Sequence, residues 1–151
     1  MTKPQSTQMM HKAVLITLLL LGAACTTPYQ SDGWTGGYKD EKLGDNQWRV
    51  SFLGNANRDA AFTWNAAMYR AAEIAQREGY RYFQVTFPST EVFSRAYVNF
   101  TNLVSYRSEL TMSGLQTEAG CPQGRGRACQ VYGTPESLRD YGNLIGASPK
   151  R

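Results

Sequence analysis

The chain has 151 residues, with 16 Lys+Arg, 12 Asp+Glu and a single His. This length suits one domain better than two. The only His, His11, lies in the first 24 residues, so the rest of the chain lacks the imidazole of Ser-His-Asp, Cys-His and His-zinc sites. Its basic residues do not cluster along one predicted face, so we expect no nucleic-acid partner.

The first 24 residues predict an export signal. Lys3 and Lys12 stand in a leader without Asp or Glu, residues 13–21 are apolar apart from Thr17, and residues 22–24 are small. A basic region, a short apolar region and small residues in this order are typical of a signal peptide. The apolar run is too short for a membrane-spanning helix, which needs about 18 residues or more.

Residues 21–25 read Leu-Gly-Ala-Ala-Cys and resemble the lipobox of bacterial lipoproteins, although Gly22 stands where Leu is more usual. The resemblance implies that residues 1–24 are a lipoprotein signal peptide and that Cys25 becomes an acylated (for example palmitate-bearing) membrane anchor. Thr26, in place of Asp, implies the outer membrane facing the periplasm. The alternative is an ordinary signal peptide with an incidental Cys.

Residues 25–46 are rich in Gly, Asp, Thr and Pro, which predicts a lipidated tether or irregular N-terminal arm. Without the leader, 127 residues remain, with a net charge of +2. Tyr29, Trp34 and Tyr38 are unusual in a spacer. They either pack the arm onto the domain edge or form a partner-binding strip.

A single domain is predicted over residues 47–145. Residues 47–53 alternate apolar and polar side chains, which predicts a strand. Residues 60–78 contain neither Gly nor Pro and show helical spacing, with Asn55 or Asn57 as N-cap and Gly79 at the end. Arg70 and Glu73 are spaced to form a weak ion pair on this helix.

The following strands are predicted at residues 80–87 and 104–112, with Pro88 ending the first. Residues 89–103 show no decisive period and stay unassigned. The helix permits either a βαβ crossover or one helix on an antiparallel sheet. Tyr80 and Tyr82 either expose their rings to a sugar or protein surface or lie buried under a helix.

Cys121 and Cys129 flank a Gly- and Pro-rich loop. In an exported protein such an even pair predicts a disulfide, here at the tip of a hairpin leading to a short strand at residues 130–132. A two-Cys metal site without further ligands and two inert thiols are the alternatives. Arg125 and Arg127 in this loop form a candidate anion-binding site, against the simpler reading of a solvated loop tip.

Thr134 as N-cap and Pro135 at the first position predict a short C-terminal helix, and residues 146–151 form a flexible tail. The predicted fold is therefore α+β, a small two-layer domain. It has a mainly antiparallel sheet, one long helix and a short C-terminal helix.

No catalytic, cofactor or metal motif is found, and the acids Asp59, Glu73 and Glu78 are expected to be solvated. We therefore expect a non-enzymatic protein that binds an envelope protein or glycan. The alternative is a carboxylate-dependent enzyme acting on cell-wall or lipid substrates. It would need two converging acids from Asp32, Asp40, Asp45, Glu91, Glu109 and Glu118.

Residues 36–83 contain Gly37-Tyr38, Leu43, residues 48–55 (WRVSFLGN), residues 70–73 (RAAE) and residues 79–83 (GYRYF). This order resembles a family of small proteobacterial lipoproteins of unknown function with the pattern GYxExxL, YRVSFxGN, RAAE and GYxYF. Asp40 stands where that family often has Glu. The family has no established activity, so the resemblance implies no catalytic residues.

Overall fold

The computed structural model describes residues 27–98, 101–119 and 130–147. The leader, Cys25, the Cys121 and Cys129 pair, and Arg125 and Arg127 lie outside these ranges. In chain order the elements are β1 (Gly37–Gly44), β2 (Gln47–Leu53), α1 (Ala60–Arg77), β3 (Tyr82–Val98), β4 (Thr101–Leu115), β5 (Gln130–Gly133) and α2 (Thr134–Ile145).

The five strands form one sheet in the order β1-β2-β4-β3-β5, and every neighbouring pair is antiparallel. Because β2 and β3 both run antiparallel to β4, they are parallel to each other with β4 between them. α1 is thus a crossover between two parallel strands of an antiparallel sheet, a split βαβ unit. The predicted α+β class, with one long and one short C-terminal helix, is confirmed.

The hydrophobic core lies between α1 and one face of the sheet. Alternate side chains of β2 and β4 point to this face, as the two-residue period predicted. The small Ala side chains of α1 let the helix approach the strands closely, while α2 packs beside α1. The largest fully buried apolar side chains are Phe52, Phe83, Met68, Ile74, Leu110, Met112 and Val50.

Asp59 caps the N-terminus of α1, because its Oδ1 accepts a hydrogen bond from the Phe62 N–H at 2.7 Å. The prediction of Asn55 or Asn57 as the cap is therefore wrong. Asn55 Oδ1 instead accepts from the Asn57 N–H at 3.1 Å, one turn earlier. Gly79 follows the helix with φ of 80°, the left-handed conformation expected after a C-terminus.

β1 is an element that composition did not predict, since residues 25–46 were expected to be irregular. Its sequence is GYKDEKLG, and it pairs with β2 from Gly37–Leu53 to Gly44–Gln47. Its exposed charges suit an edge strand, where they discourage pairing with other chains. The domain therefore begins before residue 47.

Pro88 does not end β3, contrary to the prediction. Phe87 and Pro88 together stand opposite Leu110 in a β-bulge, where the missing N–H of proline removes no ladder bond. Phe87 has φ of 52° there. Of the range left unassigned, residues 89–98 continue β3 and residues 101–103 begin β4, which extends the predicted strand at both ends.

β5 forms where predicted but with a different neighbour. It pairs with β3, from Tyr82–Gly133 to Val85–Gln130, and not in a hairpin with β4. The reason is that β2 and β3 already occupy both edges of β4. α2 has Gly133 as its N-cap residue; the predicted cap, Thr134, is buried and its Oγ1 donates to the Tyr80 carbonyl at 2.9 Å.

Candidate functional site

The N-terminal residues are fixed to the domain from Thr27 onward. Thr27 is fully buried, and its Oγ1 donates to the Thr35 carbonyl at 2.6 Å and accepts from the Asn55 N–H at 3.0 Å. Arg58 Nε donates to the Thr27 carbonyl at 2.8 Å. The chain is therefore held two residues after Cys25, so of the two predicted forms, a tether or an irregular arm, residues after Thr27 form an arm that is fixed to the domain.

Arg70 of α1 joins this N-terminal segment to the helix. Its guanidinium contacts Asp40 of β1 at 2.9 Å and Glu73, one turn away, at 3.0 Å. The Tyr29 hydroxyl donates to Glu73, and Arg70 lies 4.2 Å above the Tyr38 ring. The expected Arg70–Glu73 pair is thus confirmed, but it belongs to a larger and mostly shielded cluster.

The aromatic residues of the N-terminal segment divide into two groups. Tyr29 and Tyr38 have ring centroids 5.0 Å apart, and Tyr29 also meets Tyr69 edge-on at 4.9 Å. These two rings therefore pack the segment onto the domain, one of the two expected roles. Trp34 is fully exposed and contributes nothing to this packing.

Burial alters the ionisation of the cluster. It raises the pKa of Tyr29 far above its ordinary value, and the hydrogen bond to Glu73 raises it further. For Arg70, burial acts to lower the pKa, but the bonds to Glu73 and Asp40 outweigh it and raise the pKa overall. Arg70 is therefore a permanent cation between two carboxylates, with a neutral phenol beside it.

The face of the sheet opposite the helices is lined with charged side chains. On β2, Arg49 lies 2.9 Å from Glu41 on β1 and 3.6 Å from Glu109 on β4. Lys39, Ser51 and Arg107 complete the lining of a depression of about 220 Å³ here. This face was expected to be wet, and it offers both signs of charge to a polar partner.

A larger cleft, of about 710 Å³, lies where α2 begins. Tyr82 and Arg81 line one side, and Glu118 and Glu136 also border it. Tyr80 contributes as well, but its ring packs against Trp48 at 6.2 Å and against Gly114. The structure therefore separates the two tyrosines, with Tyr80 against the core and Tyr82 along the cleft.

No two of the candidate acids are found together among the described residues, but in three places one of them shares its surroundings with an acid outside the candidate set. Asp40 and Glu73 meet at Arg70, and Glu41 and Glu109 meet at Arg49, so a guanidinium lies between the members of each pair. Glu73 was expected to be solvated and is instead largely shielded, at 17% exposure of its side chain. The third place is the cleft at α2, which Glu118 and Glu136 both line.

Glu136 has a structural partner at that cleft. It is the third residue after Gly133, the N-cap of α2. A Cβ added at Gly133 would lie only 2.2 Å from Glu136 Oε2. The carboxylate thus folds back over the first turn of α2, where the helix dipole favours a negative charge. Across residues 27–98, 101–119 and 130–147, no three acidic or Cys side chains gather to hold a metal ion.

Sequence reasoning missed the longest feature of the surface, the hairpin of β3 and β4. All side chains from Phe87 to Ala96 are exposed. Two bulges, at Phe87-Pro88 and at Phe93, interrupt the two-residue alternation that would have revealed the strand. The signal that remained was the density of β-branched and aromatic residues in residues 92–106.

Comparison of the chain with known protein families, with curated proteins and with solved structures gave no match. Within the part of the chain that the structure describes, neither helix is long and apolar enough to cross a membrane.

Proposed function

We propose that this protein is a non-enzymatic lipoprotein of the cell envelope, anchored through acyl chains on Cys25 and binding another envelope component. The observation that carries the proposal is the attachment of the domain at Thr27, directly after the lipobox. Two residues span at most about 7 Å, so the acyl chains would hold the domain against the bilayer. More than one acyl chain is needed for stable membrane residence, and a triacylated Cys supplies this.

The open, charged face of the sheet is the surface we assign to the partner, an envelope protein or glycan. Arg49 and Ser51 of β2 lie on this face, away from the core. Guanidinium and carboxylate groups in one shallow depression suit directional hydrogen bonds to a polar partner. Localisation at the periplasmic side of the outer membrane follows from Thr26 by the lipobox resemblance.

Site-specific photo-crosslinking in intact cells tests the binding. A photoreactive residue at Ser51 is expected to yield a discrete adduct, while the same residue at Arg139 on the exposed side of α2 yields none. Adducts of equal yield at both positions would contradict a specific surface. Absence of adducts at Ser51 would favour a structural spacer without a specific ligand.

One observation supports the alternative function, an enzyme acting on cell-wall or lipid substrates. Glu118 and Glu136 line the same cleft, as an acid–base pair would. The contact of Glu136 with the start of α2 gives that carboxylate a structural role, so we prefer the binding function. Incubation of the protein with peptidoglycan and with phospholipid distinguishes the two functions. Turnover of either substrate that is lost in both Glu118→Gln and Glu136→Gln would overturn the binding function.

A further inference from the structure

The distal part of the β3–β4 hairpin extends beyond the rest of the sheet. β2 covers β4 only as far as Arg107, and β5 covers β3 only as far as Val85. Residues 92–98 and 101–106 therefore form a two-stranded ribbon, roughly 20 Å long at the usual rise per residue. We call this segment the distal ribbon. Such a ribbon is only marginally stable in water by itself.

The distal ribbon projects from the end of the sheet at which Thr27 is held. Leu53, the last residue of β2, pairs with both Gly37 and Arg107. The next residue, Gly54, donates its N–H to the Tyr106 carbonyl at 3.0 Å. Asn55 then binds Thr27. The ribbon and the proposed lipid anchor thus leave the domain at the same end.

Of the six large apolar side chains that are exposed among the described residues, four lie at this end, whereas Phe87 lies midway along β3. Val92 and Phe93 lie on the ribbon, and Trp34 precedes Thr35, the residue whose carbonyl binds Thr27. Leu144, 64% exposed, borders a cleft that also contains Arg58, a direct partner of Thr27. By contrast, Leu43 is exposed at the opposite end of the sheet, in the β1–β2 connection.

The charge of the distal ribbon suits a phospholipid surface. From residue 92 to residue 106 the chain contains one charged side chain, the cation Arg95, and no acid. At its base, Arg107 lies 4.2 Å above the Phe93 ring and stands opposite Glu91 in the strand register. Cations next to aromatic rings are favoured at a membrane interface, where the rings enter the headgroup region and the cations meet phosphates.

We propose that the distal ribbon and Trp34 lie on the same phospholipid bilayer that holds the acyl chains of Cys25. This inference rests on the proposed lipid anchor and adds a protein surface to it. The ribbon lies in the headgroup region and does not cross the hydrocarbon, because its two edges carry unpaired backbone groups that need water or headgroups. The domain is thereby held in one orientation, with Leu43 away from the membrane.

Quenching of tryptophan fluorescence by brominated lipid tests this orientation. The acylated full-length mature protein is reconstituted in phosphatidylethanolamine and phosphatidylglycerol vesicles with bromine near the carbonyl end of the acyl chains. Trp48 is buried and Trp64 is half-buried, and both remain in every variant. Trp34→Phe therefore removes the fully exposed tryptophan, and the quenching of this variant is the background to subtract from that of the others. In the Trp34→Phe background, Phe93→Trp reports on the ribbon and Leu43→Trp on the opposite end.

We expect at least twofold stronger quenching for Trp34 and for Phe93→Trp than for Leu43→Trp. Equal quenching at the two ends, with the protein still sedimenting with the vesicles, would overturn the orientation and leave the anchor intact. Failure to sediment would instead contradict the proposed function. A tryptophan in Phe93→Trp that is shielded from water but not quenched by bromine, in a protein that cross-links as dimers, would show that a second copy covers the ribbon. This result would also overturn the proposal.

Discussion

At the scale of single residues, Arg70 joins three parts of the chain. It contacts Asp40 from β1 and Glu73 from its own helix, and Glu73 in turn accepts from Tyr29 of the N-terminal segment. Only 15% of the Arg70 side chain is exposed, so water has little access to the carboxylates that it contacts. Removing it leaves two carboxylates next to each other without a cation.

We therefore predict that Arg70→Gln lowers the free energy of unfolding by about 2 kcal/mol, because shielded carboxylates lose their partner. Arg77→Gln on the same helix is the matched control. Arg77 is half exposed and pairs with Glu78, an interaction worth less than about 1 kcal/mol. Urea unfolding of both variants measures the difference, and equal losses would contradict the role of Arg70.

Tyr29 gives a prediction in pH. Its pKa in the folded state is raised above the unfolded value of about 10, chiefly by burial. Its stabilising contribution is therefore complete below pH of about 10 and declines as the pH rises further, since the unfolded chain alone releases the proton. In Tyr29→Phe this decline is absent. The difference in unfolding free energy between the wild-type protein and Tyr29→Phe therefore narrows above that pH.

Urea unfolding of both proteins from neutral to strongly alkaline pH measures the gap. Tyr69, Tyr132 and Tyr141 also have raised pKa values because of burial, but they are common to both proteins and cancel. A gap that stays constant across the alkaline range would show that Tyr29 titrates normally in the folded protein.

Sequence separation explains what could be predicted at this scale. Arg70 and Glu73 are three residues apart on a helix, so their pairing follows from helical geometry. Asp40 and Tyr29 are 30 and 44 residues from their partners, and nothing local indicates that they meet. The cluster could be identified only after β1 had been placed beside β2.

At the scale of elements, the contact of Tyr80 with β4 depends on a glycine. A Cβ on Gly114 would lie 2.2 Å from the Tyr80 ring, which itself packs against Trp48. We predict that Gly114→Ala lowers the free energy of unfolding by about 1–3 kcal/mol, the usual effect of overpacking.

Gly44→Ala is the control for this change. The nearest atom to a Cβ at Gly44 is Gln47 Cβ at 4.0 Å, so the substitution is expected to change stability by less than about 0.5 kcal/mol. Thermal or urea unfolding of the two variants provides the comparison. If Gly114→Ala were as stable as Gly44→Ala, the Tyr80 ring would not pack where the structure places it.

Elements with an uninterrupted period were predictable, and those with a broken period were not. Trp48, Val50 and Phe52 alternate cleanly along β2, and the Ala-rich stripe of α1 repeats without a Gly or Pro. The bulges at Phe87-Pro88 and Phe93 shift the faces of β3 by one residue each. A sequence pattern based on strict alternation therefore fails there for a structural reason.

At the scale of the whole molecule, strand order was beyond the sequence because it depends on which edges are free. β5 joins β3 because both edges of β4 are occupied, and β1 extends the sheet beyond β2. The same topology places Thr27, Trp34 and the distal ribbon at one end. Local patterns predicted the class, both helices and parts of four strands, but not β1, and this grouping arises only from the arrangement of the elements in space.

The proposed lipid on Cys25 would stand directly in front of the folded domain. An intact-mass spectrum of the mature protein, extracted from membranes into detergent and alkylated with and without reductant, tests it. We expect the mass of residues 25–151 plus acyl chains, with two thiols, from Cys121 and Cys129, alkylated only after reduction. A soluble product without lipid would contradict the anchor, and two thiols alkylated without reductant would contradict the disulfide.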